Sequence, residues 1–257
     1  FDIIPIELIS SIYEMFAHAR DPELAKAISV HYTRFSLVEL VLSLGMQGIK
    51  DTDRVLDPAC GSGVFLVEAF RRLVWLKEEK YGRSLNRNEL HEILQNQIFG
   101  LDIDQDAVFV AAFSLYLTLL ELDTDPQPPD ALKFPRLVEN SQEKGGQIPN
   151  LYMQDFFNIE HGFNQSLPFS GYGFDLITGN PPWTSLKVDK DSSATKRQWG
   201  VEYCHREGIP DNKPDQAFMW RARTFINTKN PEARVAFVVS SRILYQASTT
   251  AESWREK

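Results

Sequence analysis

The chain has 257 residues, 43% of them hydrophobic and 24% charged. That is enough for one large α/β domain or two small ones, and the mix excludes a disordered or fibrous chain. Lys and Arg number 27 against 35 Asp and Glu, a formal net charge of -8, which excludes a polyanion grip spread over the whole surface, because phosphate affinity comes from cations that release counterions.

Ile6, Ile9, Ile12, Tyr13 and Phe16 recur at helical spacing and predict an amphipathic helix from Ile6 to Ala19. A second helix is expected over Ser36 to Leu44, then a short buried strand, Arg54-Val55-Leu56, ending at Asp57. A turn from Ala59 to Gly63 leads into a long helix, Val64 to Glu79, broken at Tyr81-Gly82-Arg83-Ser84. Asn86 with Glu89 three residues later reads as a capping box that opens a shorter helix. Ile98 to Leu101 predicts a second strand ending in Asp102, and residues 105–121 an apolar helix. Asp123 to Pro149, rich in Pro, Gly and polar residues, reads as a long surface connection. A third strand is expected at Leu151-Tyr152-Met153, ending at Asp155, and a fourth at Phe174 to Thr178, ending at Asn180. Residues 187–214 are polar and read as a mobile loop. A helix from Asp215 to Ile226 and a strand from Val235 to Val239 follow.

Strands alternating with helices imply a doubly wound, parallel α/β sheet, in which ligands bind beyond the carboxyl ends of the strands. Asp57, Asp102, Asp155 and Asn180 all fall there. No run long enough to cross a bilayer and no secretory leader are read. Cys60 and Cys204 lack metal spacing and a disulfide framework, so two reduced thiols in a cytoplasmic protein are expected. The five histidines show no metal spacing either, and no metal site is expected. The start at Phe1 without Met and the polar stop at Lys257 read as a piece of a longer protein.

The chemistry is concentrated in four segments. In Asp57-Pro58-Ala59-Cys60-Gly61-Ser62-Gly63, glycines after a strand let the backbone turn tightly and approach a ligand. The third glycine of the dinucleotide fingerprint is missing, and an acid at the loop entrance repels pyrophosphate but suits a ligand bearing an ammonium and a sulfonium. A purely structural turn is the alternative. Asp102, in Gly100-Leu101-Asp102-Ile103-Asp104, can bind both hydroxyls of a ribose, while Asp104 reads as a helix N-cap. Asp155 can accept from an adenine amino group and Phe156 can stack on its ring; a strand-end Asp beside a core Phe is an equal alternative.

Asn180-Pro181-Pro182-Trp183 is the most specific signal. The exocyclic amine of adenine is a poor nucleophile because its lone pair is delocalised into the ring. The Asn180 side-chain carbonyl and the Pro181 backbone carbonyl can accept from its two hydrogens, orienting the nitrogen by position and electrostatics. Two prolines stiffen the loop, and Trp183 offers a face for a base drawn out of a duplex. Lys187, Lys190, Lys196 and Arg197 with Trp199 could track phosphates, diluted by Asp189 and Asp191; a solvated loop is the alternative.

Together these segments resemble the ordered motifs of amino-group DNA methyltransferases, and the asparagine form of the last motif resembles the adenine enzymes. His31-Tyr32-Thr33-Arg34-Phe35-Ser36-Leu37-Val38 resembles the family's cofactor motif, with Arg34 where a proline is usual. Its place before the glycine loop is that of the subgroup whose recognition domain follows the catalytic one. Ile4 to Glu14 resembles the lead-in helix of large single-chain restriction-modification and phage-defence methyltransferases.

The resemblance implies a Rossmann-like fold with an N-terminal helical lead-in (1–50) and a methyltransferase catalytic domain (51–257). It implies S-adenosyl-L-methionine held by Thr33, Asp57, Pro58, Ala59, Gly61, Gly63, Asp102, Ile103, Asp155, Phe156 and Asn180. Asn180, Pro181, Pro182 and Trp183 would carry the target adenine of double-stranded DNA. A nuclease or specificity region in the same parent chain is the implied partner, with no membrane. Methylation of RNA adenine or protein glutamine, whose planar amide resembles adenine's amino edge, is the alternative activity; a non-catalytic module is the third reading.

Overall fold

The computed structural model describes residues 33–125, 132–138, 149–158, 173–183, 195–209 and 213–241, together with Leu8, Ile9, Ile12, Tyr13, Met15 and Pro128. In chain order the elements are α1 (Phe35–Gly45), β1 (Val55–Asp57), α2 (Val64–Tyr81), α3 (Arg87–Asn96), β2 (Ile98–Asp102), α4 (Gln105–Leu122), β3 (Leu151–Met153), β4 (Leu176–Gly179), α5 (Thr195–Glu207), α6 (Pro214–Ala222) and β5 (Arg234–Phe237), with a 3-10 turn at Phe156–Asn158.

Among the described residues five strands form one parallel sheet in the order β3-β2-β1-β4-β5. This is the doubly wound α/β arrangement the alternating pattern predicts. Strand pleating sends successive side chains to opposite faces. Val55, Ile98, Leu151 and Leu176 therefore join one core, shared with Val38 and Leu42 of α1, Phe65 and Leu73 of α2, and Leu115 of α4. Leu56, Phe99, Leu101 and Ile177 join the other, with Phe156, Phe174 and Phe218. Each fully buried aliphatic contributes about 1.5–3 kcal/mol relative to exposure. Strand order reverses between β1 and β4, which opens a crevice at their carboxyl ends.

Local signals explain the helix ends. Gly63 caps α2 at φ 87°, and a Cβ there would meet Ala111 Cα at 3.0 Å, so only glycine lets α2 approach α4 so closely. The Asn86 side chain accepts from Glu89 N–H while the Glu89 carboxylate accepts from Asn86 N–H, completing the expected box. Asp104 caps α4 by accepting from Asp106 N–H, as its position predicts.

Several readings need correction. The polar stretch expected to be a loop contains α5, because Tyr203, Cys204 and Ile209 bury against Ala217 of α6. Here tertiary packing overrides a weak local pattern. Asp155 lies two residues beyond the end of β3 rather than ending it. Phe174 precedes β4 and makes an isolated bridge to Ile226. That bridge requires α6 to stop at Ala222 rather than run to Ile226. β5 ends at Phe237, two residues early. Although no membrane-length run was read, α4 is long and apolar enough by length and composition. Its inner side is core, with Ala111, Leu115 and Leu119 buried, while Phe109 and Phe113 stay exposed.

α1, grouped with the lead-in by the sequence, packs into the same core as α2 and the sheet. Of the lead-in helix, Leu8, Ile9, Ile12, Tyr13 and Met15 are described and helical. Most of the 123–149 connection lies outside the described residues, as do His31, Tyr32, Lys187, Asp189, Lys190 and Asp191 and the side chains of Lys196 and Arg197.

Candidate active site

The glycine loop after β1 is tied to the end of β2. Cys60 N–H donates to Leu101 O at 2.8 Å, and Gly61 N–H donates to Asp102 Oδ2 at 2.9 Å. Gly61 and Gly63 both sit at positive φ, 52° and 87°. Among the described residues no atom lies within 4 Å of where a Gly61 Cβ would be, so the loop's outer side is open toward them. The tight turn allows the backbone to face the crevice without side chains in the way.

Asp57, at the end of β1, is 1% exposed. Its Oδ1 accepts from Ala59 N–H at 3.0 Å. Burial pushes its carboxyl up to about 8; the Ala59 N–H opposes the rise and the charge of Asp102 adds to it. A carboxyl this desolvated gains from a cation brought beside it. Asp102 accepts from Asp104 N–H at Oδ1 and from Gly61 N–H at Oδ2, both at 2.9 Å. Burial raises it to about 6, opposed by those two donors and by the Ile103 N–H, while the charge of Asp104 adds to the rise. A carboxylate has about four lone-pair sites, so Asp102 keeps acceptor capacity for a hydroxyl. Acid beside an open glycine loop at β1 and a dual acceptor at β2 make a donor set that fits an ammonium-bearing nucleoside such as S-adenosylmethionine.

Asp155 accepts from Phe157 N–H at 2.7 Å and is raised to about 6 by burial, partly offset by that donor and by the charge of Arg221. Phe156 is 2% exposed, its ring stacked on Phe218 with centroids 5.3 Å apart. The ring is therefore committed to the core, and of the pair it is the Asp155 carboxylate that remains at the sheet's edge.

The segment after β4 is built against this half. Gly179 brings the backbone so close to Asp57 that a Cβ would lie 2.4 Å from its Oδ1. Asn180 follows directly. Its Nδ2 donates to Thr33 Oγ1 at 3.0 Å, whereas its Oδ1 is buried with no hydrogen-bond partner among the described residues. Pro181 is buried. Trp183 donates from Nε1 to Val238 O at 3.3 Å, yet is 42% exposed, so its edge is anchored while part of the ring faces outward.

The structure thus brings Thr33, Asp57, Gly61, Asp102 and Asn180 to one end of the sheet and leaves the Phe156 ring in the core. Of four further partners, Tyr13 and Arg221 were not legible in the sequence. Arg221 is 6% exposed and balances Asp155. Asp215 accepts from Gln216 N–H and Ser240 N–H, joining α6 to the segment after β5. Gln216 is 3% exposed with Oε1 unpartnered among the described residues. Tyr13 donates to Asp104 Oδ2 at 2.9 Å, which ties Tyr13 to the segment between β2 and α4. Asp215 and Gln216 open Asp215-Gln216-Ala217-Phe218, which loosely resembles a later helix motif of the same methyltransferases; for Tyr13 and Arg221 no local signal exists.

Residues 96–257 match the model of the Eco57I restriction-modification methylase family, and residues 42–143 that of the RMKL-like methyltransferase domain. RM.BcgI, a type II restriction enzyme and methyltransferase of Heyndrickxia coagulans, is 27% identical over 56% of this chain. RM.Eco57I of Escherichia coli, likewise a type II restriction enzyme and methyltransferase, is 32% identical over 57% of it. The chain spans 16% of the length of each. The type IIL restriction-modification enzyme MmeI, solved in complex with DNA, superposes with a TM-score of 0.61 at 17% identity over 93% of this chain and 34% of its own. That likeness shows a shared fold.

Proposed function

The chain belongs to the Eco57I restriction-modification methylase family, and from that premise we propose that it methylates the exocyclic N6 amino group of adenine in double-stranded DNA, with the target base turned out of the duplex. S-adenosylmethionine, the cofactor of this methyltransferase fold, supplies a methyl group made electrophilic by its sulfonium. Asp57 holds the cofactor's ammonium, Asp102 its ribose hydroxyls, and the Gly61–Gly63 backbone gives it room. Asp155 accepts from the cofactor's adenine amine. Thr33, Pro58, Ala59, Ile103 and the Phe156 backbone complete this wall.

The observation that carries the reading is the Asn180 amide. A buried acceptor without a partner costs about 1–3 kcal/mol, and among the described residues Oδ1 is such an acceptor at the edge where β1 and β4 part. An incoming N–H recovers that cost. Adenine's amine brings two, one for Asn180 Oδ1 and one for the Pro181 carbonyl. Held by both, the nitrogen is turned toward tetrahedral geometry and its lone pair is aimed at the methyl group. Neither acceptor is a base, so the loop works by orientation: as the new N–C bond forms, the methyl–sulfonium bond would break to leave a neutral thioether, and the surplus amine proton would pass to solvent. The exposed part of the Trp183 ring stacks on the extruded base, offsetting part of the few kcal/mol that flipping costs. With a formal charge of -8, phosphate contacts must be local or come from a partner region.

The test is transfer of radiolabelled methyl from S-adenosylmethionine to unmethylated plasmid DNA by the full chain, followed by nucleoside chromatography. Label in N6-methyladenine that falls at least about 100-fold in Asn180→Ala supports the reading. Label found instead in RNA or in protein glutamine, or cofactor binding with no transfer, overturns it.

A further inference from the structure

The hydrogen bond between Asn180 Nδ2 and Thr33 Oγ1 joins residues 147 apart in the chain. An asparagine amide has two nearly isosteric orientations about a broad terminal torsion, and only one presents the oxygen outward. The rigidity that selects it comes from elsewhere. Thr33 is 8% exposed and β-branched, so its χ1 is stiff. It precedes Arg34, the N-cap of α1, whose first turn is fixed by Leu37 N–H and Val38 N–H donating to Arg34 O at 2.8 and 3.2 Å. Val38 and Leu42 are 0% exposed in the core that also holds Leu176 of β4. The hydroxyl and the Asn180 backbone are therefore carried by two elements packed into one core.

We propose that Thr33 is a positioning residue for the target amine: its hydroxyl oxygen holds the Asn180 side chain by Nδ2, so that Oδ1 stays turned toward the incoming base. The inference rests on the reading of Asn180 as an acceptor for that base. It adds to, rather than replaces, the cofactor role the sequence resemblance implies for Thr33. With Oγ1 accepting from Asn180, the hydroxyl proton remains free in the chemical inventory to donate to an anionic group of the cofactor. One hydroxyl then links both halves of the site.

The experiment compares Thr33→Val, which is nearly isosteric but lacks the hydroxyl, with Thr33→Ser, which keeps it. Single-turnover methyl transfer is measured at saturating cofactor, with cofactor affinity by calorimetry. Thr33→Val is expected to lower the rate about 10- to 100-fold even at saturation, while Thr33→Ser stays within about threefold of wild type. A Thr33→Val defect that saturating cofactor abolishes makes Thr33 a cofactor contact only and overturns the proposal. A second measurement does not depend on turnover. In protein labelled with 15N-asparagine, the Asn180 side-chain amide pair is assigned by its disappearance in Asn180→Ala. It should shift in Thr33→Val and hold its position in Thr33→Ser; no shift in Thr33→Val also overturns the proposal. If the wild type transfers no methyl to adenine, the proposed function fails, and the amide resonance still decides the role of Thr33.

Discussion

Gly179→Ala perturbs the point where the two halves of the site touch. The new Cβ would sit 2.4 Å from Asp57 Oδ1 and 2.9 Å from its Cγ. Comfortable contact begins near about 3.5 Å, so the carboxylate must retreat by about 1 Å. Oδ1 is the atom that accepts from Ala59 N–H at 3.0 Å, and losing that bond orphans a buried donor at about 1–3 kcal/mol. Alanine at φ 147° adds a further strain of about 1–3 kcal/mol. The sum is on the order of 2–6 kcal/mol, against a total of about 5–15 for a typical domain. Urea unfolding followed by circular dichroism should register that loss, and calorimetry should show S-adenosylmethionine binding weakened at least about tenfold. Gly61→Ala, with no atom of the described residues within 4 Å of the added Cβ and φ 52°, should lose only about 1–2 kcal/mol. A Gly179→Ala protein with unchanged cofactor affinity and less than about 1 kcal/mol of destabilisation would refute the account of Asp57.

Asp57, Asp102 and Asp155 are all raised by burial from 3.8, to about 8, 6 and 6. Below 3.8 they are protonated folded or unfolded; above it the unfolded chain releases protons the folded one retains, so the cofactor-free protein loses stability as pH rises. Between pH 6 and 8 Asp57 carries this loss among the three. The stability difference between wild type and Asp57→Asn, from urea midpoints at pH 6, 7 and 8, should shift against the wild type as pH rises; a flat difference contradicts the assignment. Cofactor binding near pH 7 should release protons, seen as a heat that depends on buffer ionisation enthalpy. Asn86→Ala removes the box that opens α3 and should cost about 1 kcal/mol of stability with cofactor affinity intact, by the same two assays. Trp183→Ala should weaken capture of the target base by about 1–3 kcal/mol, read as a raised KM for DNA with an unchanged cofactor Kd.

The parts of the fold written in local chemistry were legible. Val55-Leu56, Ile98-Phe99 and Leu176-Ile177 are continuous apolar pairs because parallel strands are buried on both faces, and Asn86 and Asp104 announce their helices by their side chains. The acids at the strand ends were legible for the same reason: after an apolar run, a charged residue has few other places to be. What depends on distant partners was not. α5 carries mostly polar residues and is helical because Tyr203 and Cys204 find a cluster with Ala217. Phe156 reads equally as a stacking platform or as core until Phe218 arrives from α6. The Thr33–Asn180 and Tyr13–Asp104 hydrogen bonds span 147 and 91 residues, and neither separation has a periodicity that sequence could display.

The most direct test of adenine methylation is made in cells. The full chain is expressed in a host lacking adenine methylation, and N6-methyladenine in the host DNA is quantified by nucleoside mass spectrometry beside Asn180→Ala at equal expression. The account predicts methylated adenine in the wild type and its loss in the variant. A mark that persists in Asn180→Ala, or its absence from a well-expressed wild type that binds S-adenosylmethionine, would contradict it.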